Sequence, residues 1–164
     1  MLYVSTSRKP TQRTRVLAHW LERLFGGEYE NRGKRSVGEI AARMEEKGFQ
    51  RAVFIYEKHG NADSLNFFDR DSGWLYPEIV IGEHALLKPQ GGRVNPVSTA
   101  EAKDAAGRKI LELSGFEPAE VDGGLRVVLS EKEICFYDGK NKVFSIKVKG
   151  FREAETENEG DHGN

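Results

Sequence analysis

Cysteine is almost absent from this sequence, which contains only Cys135 among 164 residues. A single cysteine excludes an intramolecular disulfide and a cysteine-based metal site. No run of about 18 apolar residues occurs, so no membrane-spanning helix is predicted. Residues 1–5 lack the long apolar stretch of a secretion signal, which predicts a cytoplasmic protein. With 38% hydrophobic and 31% charged residues, the composition indicates a folded, well-solvated domain.

Signatures of common enzyme sites are also missing. The chain has neither a G-x-x-x-x-G-K-[ST] loop nor a G-x-G-x-x-G motif after a predicted strand, and its four histidines are not spaced as zinc ligands. Asp69 and Asp71 flank a predicted turn, which favours solvated carboxylates over a metal pair. Cys135 alternates with apolar neighbours, which favours a packed side chain over a nucleophile. The sequence therefore predicts no catalytic residue, metal or cofactor, and an enzyme, such as a nuclease or an RNA-modifying protein, is the least favoured class.

A net charge of −1 would normally argue against nucleic acid, but the charge is distributed unevenly. Residues 1–35 contain eight basic and three acidic side chains, whereas residues 151–164 contain one basic and five acidic side chains. A basic head with an acidic tail is a hint of nucleic-acid contact. The apolar-poor tail, residues 151–164, is predicted to be disordered.

Hydrophobic periodicity and turn residues predict three helices and seven strands. The helices cover residues 11–25, residues 36–47 with a capping box formed by Ser36 and Glu39, and residues from 98 or 99 to 115 with a second capping box completed by Glu101. The strands cover residues 2–5, 52–56, 65–69, 74–81, 125–129, 134–137 and 143–149. Residues 59–63 form a turn, Pro77 marks an edge or bulge, and residues 138–141 form a hairpin turn. The Gly- and Pro-containing stretch 82–97 is predicted to be an exposed connection.

This pattern predicts an α/β fold of the α+β-like kind, with one domain over residues 1–150. Its halves cover about residues 1–85 and 86–150. Gly48-Phe49 and Gly115-Phe116 each follow a predicted helix and lead toward strands, which is a weak sign of an old duplication.

Two basic clusters lie at the starts of the first two helices. Arg13 and Arg15 occupy the positive end of the first helix dipole, where a cation typically costs about 0.3–1 kcal/mol. The same helix end, with Ser7, Thr11 and Thr14, provides amide and hydroxyl donors for an anion. A second basic cluster precedes the Ser36 cap. Bound phosphates would neutralise both clusters, while solvated surface charge is the plainer alternative.

The segments read STSRKPTQRTR over residues 5–15 and NRGKRS over residues 31–36. This pair resembles the N-terminal signature of the Brix-domain ribosome-biogenesis proteins, most of all their short archaeal, Imp4-like members. The resemblance implies an α/β fold with two similar halves of mixed sheet plus helices. Each half would resemble the anticodon-binding domain of class II aminoacyl-tRNA synthetases.

The resemblance further implies an RNA-binding factor that acts in pre-rRNA processing or ribosomal subunit assembly without catalytic chemistry. Its partners would be rRNA or pre-rRNA, with other ribosome-assembly proteins as further candidates. The RNA-binding residues carried over from the two motifs are Ser7, Arg8, Lys9, Gln12, Arg13, Arg15, Asn31, Arg32, Lys34 and Arg35. A protein-interaction module of a pre-ribosomal particle, without direct RNA contact, is the alternative.

Overall fold

The computed structural model describes residues 1–87, 95–118 and 121–155. In chain order its elements are β1 (Leu2–Thr6), α1 (Gln12–Phe25), β2 (Glu28–Tyr29), α2 (Val37–Glu46), β3 (Arg51–Lys58), β4 (Asn61–Asp69), β5 (Gly73–Trp74), β6 (Glu78–Leu86), β7 (Val97–Ala102), α3 (Ala105–Ser114), β8 (Leu125–Leu129), β9 (Glu133–Asp138) and β10 (Asn141–Arg152). The first two predicted helices are confirmed. So is the capping box of α2, in which Ser36 and Glu39 cap each other.

All strands of the described residues belong to one mixed sheet. Its order is β2-β1-β3-β4-β6-β10-β9-β8-β7, with β5 attached to β4. The strand β1 pairs in parallel with β2 and β3, and β7 pairs in parallel with β8. The remaining pairs are antiparallel. The α/β class is thus confirmed as a large mixed sheet with three helices in the described part of the chain.

Side-chain alternation along β1 divides the core into two layers. Leu2 and Val4 belong to the larger apolar cluster, which includes the buried face of α1. Tyr3 belongs to the smaller cluster, together with Ile40 of α2. Because successive strand side chains point to opposite faces, α1 and α2 cover opposite faces of the sheet. The helix α3 places Ile110 in the larger cluster, so it lies on the same face as α1.

The helix α1 buries the apolar stripe that its sequence predicts. Leu17, Leu21 and Leu24 are each at most 3% exposed, and burying a leucine side chain stabilises a fold by roughly 1.5–3 kcal/mol. Trp20 stacks on Phe144 of β10 with ring centroids 4.8 Å apart and planes 6° from parallel. This contact joins the first helix to the last strand, so the core is continuous across the sheet.

Two series of strands repeat the same order of pairings. In β1-β3-β4-β6 and in β7-β8-β9-β10, the first pair is parallel and the next two are antiparallel. The helix α3 connects β7 to β8, and α1 and α2 both lie between β1 and β3. The two series meet at the antiparallel pair of β6 and β10.

The predicted start of the third helix, at residues 98–99 with a capping box at Glu101, is wrong. These residues form β7, which pairs in parallel with β8. Asp104 is the actual N-cap, and its Oδ1 accepts a 2.7 Å hydrogen bond from the amide of Gly107. A Cβ at Gly107 would lie 2.1 Å from the carbonyl oxygen of Leu129, so the close approach of α3 to β8 requires this glycine. Strand pairing thus outweighs the local capping signal.

The predicted connection over residues 82–97 is too long. The strand β6 continues to Leu86 because it pairs with β10 along its length, while residues 88–94 lie outside the described part of the chain. The predicted strand 74–81 is two strands, since residues 75–77, including Pro77, separate β5 from β6. The predicted turn 59–63 is also shorter, because β3 and β4 pair up to Lys58 and Asn61.

The final strand is longer than predicted. The strand β10 reaches Arg152, pairing with Glu78, and Phe151 packs partly against the core. Residues 151–152 are therefore part of the sheet, which corrects the predicted start of the acidic tail. The predicted disorder of residues 156–164 lies outside the described residues.

Candidate nucleic-acid interface

The two basic segments of the sequence, residues 7–15 and residues 31–35, emerge at one edge of the sheet. They follow the ends of β1 and β2, which run parallel to each other and to β3. Because parallel strands end at the same edge, α1 and α2 both begin there, on opposite faces. We call this the basic edge. Open α/β sheets generally bind ligands outside the carboxyl ends of their parallel strands.

Arg32 joins the two segments. Its side chain is only 7% exposed. Nη1 donates to the carbonyl oxygen of Thr6 over 3.1 Å, and Nε donates to that of Arg35 over 2.6 Å. The guanidinium carbon lies 5.7 Å from the ring centre of Phe54. Arg32, predicted to bind RNA, therefore holds the second segment against the end of β1.

Arg8 and Arg35 approach a common carboxylate at the start of α2. Backbone and side-chain hydrogen bonds with Ser36 lower the pKa of the Glu39 carboxyl, and the charges of Arg35 and Arg8 lower it further. Arg8, Lys9, Asn31 and Lys34 have exposed side chains. The structure thus brings members of both sequence motifs together on one surface.

A buried carboxylate, Glu30, holds the second segment against β1 and α2. Glu30, 9% exposed, accepts a hydrogen bond from the hydroxyl of Tyr3. The Glu30 carboxylate also pairs with Arg43 of α2 and, over 3.5 Å, with Arg35. Burial and the hydrogen bond to Glu30 raise the pKa of Tyr3 well above its ordinary value. Nothing in the local sequence pattern indicated these contacts, because the residues come from β1, the β2–α2 loop and α2.

A carboxylate already occupies the start of α1. Glu57 Oε2 accepts hydrogen bonds of 2.8 Å from the amide and the hydroxyl of Thr11 and another from the hydroxyl of Thr14. Burial alone raises the pKa of this carboxyl, but the hydrogen bonds from Thr14 and Thr11 outweigh it, so the pKa lies below its ordinary value. The expectation that Thr11 and Thr14 offer their donors to a bound anion is therefore wrong.

The remaining members of the first segment point in different directions. Ser7 donates its amide to the carbonyl oxygen of Ile55 over 2.9 Å, which ties the segment to β3. Arg15 donates to the side chain of Gln12 over 3.3 Å on the exposed side of α1. Arg13 lines a cavity of about 410 Å³ beside the β3–β4 turn and β6. Only part of the predicted set thus shares a single surface with residues 31–35.

His84 lines the same cavity as Arg13. Burial lowers the pKa of His84 below its ordinary value, and the positive charge of Arg13 lowers it further. His84 is therefore expected to be neutral near pH 7. In the described ranges there is no group of three or more His, Cys, Asp or Glu side chains arranged to hold a metal ion.

Sequence reasoning missed an aromatic surface next to the basic edge. Trp74 and Tyr76 are 36% and 38% exposed, and with Tyr56 they line a cavity of about 480 Å³. The only local signal was the pair Trp74 and Tyr76 on either side of Leu75. Both were assigned to the predicted strand 74–81. Their clustering depends on the pairing of β4 with β5 and β6.

This chain has relatives among known archaeal proteins. No protein-family profile matches it. A probable Brix domain-containing ribosomal biogenesis protein of Methanosarcina mazei is 27% identical over 160 residues, which cover 92% of this chain and 99% of that protein. The chain is thus similar, over almost its whole length, to an archaeal protein described as Brix domain-containing. A protein of the same description from Archaeoglobus fulgidus is 40% identical over 88 residues, 54% of each chain.

Two solved structures share the fold. Mil, described as an archaeal Imp4-like protein, superposes with a TM-score of 0.73 and 21% identity, covering 94% of this chain and all of Mil. A probable ribosomal biogenesis protein from Aeropyrum pernix K1 superposes with a TM-score of 0.72 and 20% identity, over 94% of this chain and 97% of that one. The Brix resemblance drawn from residues 5–15 and 31–36 is therefore confirmed.

None of the three helices in the described residues is long and apolar enough to cross a membrane.

Proposed function

We propose that this protein binds rRNA or pre-rRNA during ribosomal subunit assembly, and that its basic helix starts bind the RNA phosphates. The observation that carries the proposal is the Arg32 bridge, which joins the two basic segments at the carboxyl ends of parallel strands. The similarity of the chain to proteins described as ribosomal biogenesis proteins supports this role.

The exposed cations of the basic edge are available to phosphates. Within the described residues, Arg8, Lys9 and Lys34 have no carboxylate within 4.0 Å, and the same is true of Arg13 and Arg15. Each phosphate that such a cation neutralises releases condensed counterions, so the affinity falls steeply with salt. Because Glu57 already supplies a negative charge at α1, the proposal rests on these side chains rather than on free α1 donors.

The test removes three exposed cations of the basic edge in the variant Arg8→Ala/Lys9→Ala/Lys34→Ala. Its matched control is Lys103→Ala/Lys132→Ala/Lys140→Ala, which changes the net charge equally at exposed positions elsewhere. Binding of a labelled RNA hairpin with an unpaired loop is measured over a range of salt concentrations. The first variant should bind at least about ten-fold more weakly, with a salt slope smaller by about 2, whereas the control should change far less.

Equal losses in the two variants would overturn the assignment of the basic edge. If the intact protein binds no RNA, the result favours the alternative, which is a protein-interaction module of a pre-ribosomal particle without direct RNA contact. The proposed role is that of a cytoplasmic assembly factor that needs no catalytic residue or cofactor. Other ribosome-assembly proteins are its proposed further partners.

We also propose that the chain consists of two similar halves, over about residues 1–85 and 86–150, each resembling a class II anticodon-binding domain. The repeated order of parallel and antiparallel pairings in the two strand series supports this proposal. Superposing one series on the other, and each on anticodon-binding domains, tests it. A TM-score below about 0.5 for either comparison would count against it.

A further inference from the structure

A cavity of about 480 Å³ opens on the sheet face that carries α2, between β3, β4 and β6. This volume lies within the range of about 300–1,000 Å³ that small-ligand sites usually have. Tyr56, Trp74 and Tyr76 supply its aromatic walls, and Ser64 and Asn66 contribute polar atoms to the lining. None of the residues that line this cavity belongs to the set that the two sequence motifs predicted to bind RNA.

The aromatic wall is packed against other rings of the sheet although it is partly exposed. The indole of Trp74 packs edge-to-face against Phe54 and Phe68, each with ring centroids 5.3 Å apart, and it remains 36% exposed. Tyr76 is 38% exposed beside the same cavity. Two exposed aromatic side chains that line one concave site favour a planar ligand, because stacking on such rings loses little conformational entropy.

The polar lining is suited to a neutral hydrogen-bonding group. Asn66 is 5% exposed, and its Nδ2 donates to Ser64 Oγ over 2.9 Å and to the carbonyl oxygen of Phe54 over 3.3 Å. Among the described residues, the side-chain oxygen of Asn66 accepts no hydrogen bond. An amide oxygen beside aromatic rings can accept from the Watson–Crick edge of a base.

The charges around the cavity are already partly neutralised. Arg152 pairs with Glu78 over 3.1 Å and with Asp63 over 3.4 Å, and Glu57 is bound by the two threonines of α1. Lys58 is exposed in the cavity wall, with no carboxylate within 4.0 Å among the described residues. A neutral planar group inside and a phosphate near Lys58 would match this distribution.

The cavity is physically connected to the basic edge. The guanidinium of Arg32 lies 5.7 Å from the ring centre of Phe54, and Phe54 supports Trp74. Lys58, at the end of β3, borders both this cavity and the one lined by Arg13. The ring of Phe54 therefore lies between Arg32 of the basic edge and Trp74 of the cavity.

We propose that this cavity receives an unpaired nucleobase, stacked against Trp74 and Tyr76, from the RNA strand whose phosphates bind the basic edge. The inference rests on the proposed function and adds a ligand class to it. Sequence-dependent RNA recognition mostly uses unpaired bases on aromatic side chains, and one stacked base contributes about 1–3 kcal/mol, or roughly a 5- to 150-fold change in affinity.

The experiment uses Trp74→Leu, with Trp74→Phe as the variant that keeps an aromatic ring. Tyr137→Leu, on β9, is the control for loss of an aromatic side chain away from the cavity. Urea unfolding of every variant identifies loss of folding. Affinity is measured for an RNA hairpin with an unpaired loop and for a fully paired RNA duplex. Trp74→Leu should bind the hairpin at least about five-fold more weakly, while Trp74→Phe and Tyr137→Leu stay close to the parent.

Tryptophan fluorescence gives a second readout, independent of affinity. The chain has two tryptophans, and Trp20 is buried against Phe144. Addition of the hairpin should quench the emission of Trp74 in the parent protein, the duplex should quench it far less, and the quenching should vanish in Trp74→Phe. Quenching that persists in Trp74→Phe would overturn the inference.

The outcomes separate this inference from the proposed function. If the hairpin binds with the expected salt dependence but Trp74→Leu binds as tightly as Trp74→Phe, the cavity assignment fails and the basic edge stands; a protein side chain would then be the occupant to test. If the intact protein binds neither RNA, both proposals fail.

Discussion

At the scale of the residue, Glu57 accounts for the stability of the first basic segment. Arg13 and Arg15 would destabilise the positive end of α1 if they were its only nearby charges. Glu57 brings a negative charge to that end and binds both Thr11 and Thr14. The negative charge of Glu57 therefore offsets the cost of Arg13 and Arg15 at this helix end without a bound ligand.

We expect Glu57→Gln to lower the free energy of unfolding by about 1–2 kcal/mol, because hydrogen bonds to a charged group are stronger than those to a neutral amide. Urea unfolding at neutral pH measures the change. Glu112→Gln is the control, since the Glu112 side chain forms an exposed pair with Lys109, and such pairs contribute about 0–1 kcal/mol. Equal stability of Glu57→Gln and the parent would contradict the assigned role.

Residue types and their spacing drew attention to the two basic segments, but they did not distinguish the roles of the arginines. Arg32 and Arg8 read alike in the sequence, yet one is buried in hydrogen bonds to Thr6 and Arg35 and the other is exposed. The difference depends on the pairing of β1 with β2, which places the two segments side by side. No short-range pattern contains that information.

At the scale of the element, helix starts were predicted well where the cap is local and isolated. Ser36 and Glu39 form the expected capping box, with hydrogen bonds of 3.0 and 3.1 Å. A similar signal around Glu101 failed, because β7 pairs in parallel with β8. Parallel pairing with a distant strand is invisible to a capping rule, and the actual cap, Asp104, also binds the amide of Glu131 over 3.1 Å.

We expect Ser36→Ala to destabilise the protein by about 1 kcal/mol, the usual cost of removing an N-cap side chain. Ser36→Thr keeps the hydroxyl and should restore most of the loss. The midpoint of urea unfolding, at an unchanged denaturant slope, gives the comparison. If Ser36→Thr and Ser36→Ala are equally destabilised, the capping hydrogen bond is not the cause.

At the scale of the whole molecule, the side chain of Arg51 joins the first strand series to the end of α3. Arg51 of β3 donates from Nε to Asp69 of β4 over 2.8 Å, and its Nη1 donates to the carbonyl oxygens of Glu112 and Leu113 at the end of α3. The hydrogen bond from Arg51 holds the pKa of Asp69 well below its usual range, despite burial.

This arrangement predicts that stability is lost in acid. The ordinary pKa values of Glu57 and Asp69 are 4.5 and 3.8, and both are lowered in the folded protein. Each carboxylate therefore adds stability above its unfolded pKa, and that stability disappears as the pH falls toward the folded value. We expect the free energy of unfolding to fall as the pH is lowered through 4.5 and 3.8 toward the folded pKa values, because both carboxyl groups bind protons more readily in the unfolded chain.

Urea unfolding at several pH values tests this expectation. The Asp69→Asn variant should show a weaker pH dependence over this range than the parent, although its stability at neutral pH is lower. Asp138→Asn, at the exposed β9–β10 turn, should keep the parent's pH dependence. An unchanged acid slope in Asp69→Asn would show that other groups cause the loss.

Local patterns were sufficient for α1, α2 and the central strands, because periodicity, caps and turn residues act over a few positions. The shared position of the segments, the burial of Arg32, the Glu57 cap and the Trp74 cavity were decided only by the tertiary structure. These features depend on hydrogen bonds between residues 26 to 46 positions apart and on strand pairings. The sheet brings such residues together although they are far apart in the sequence.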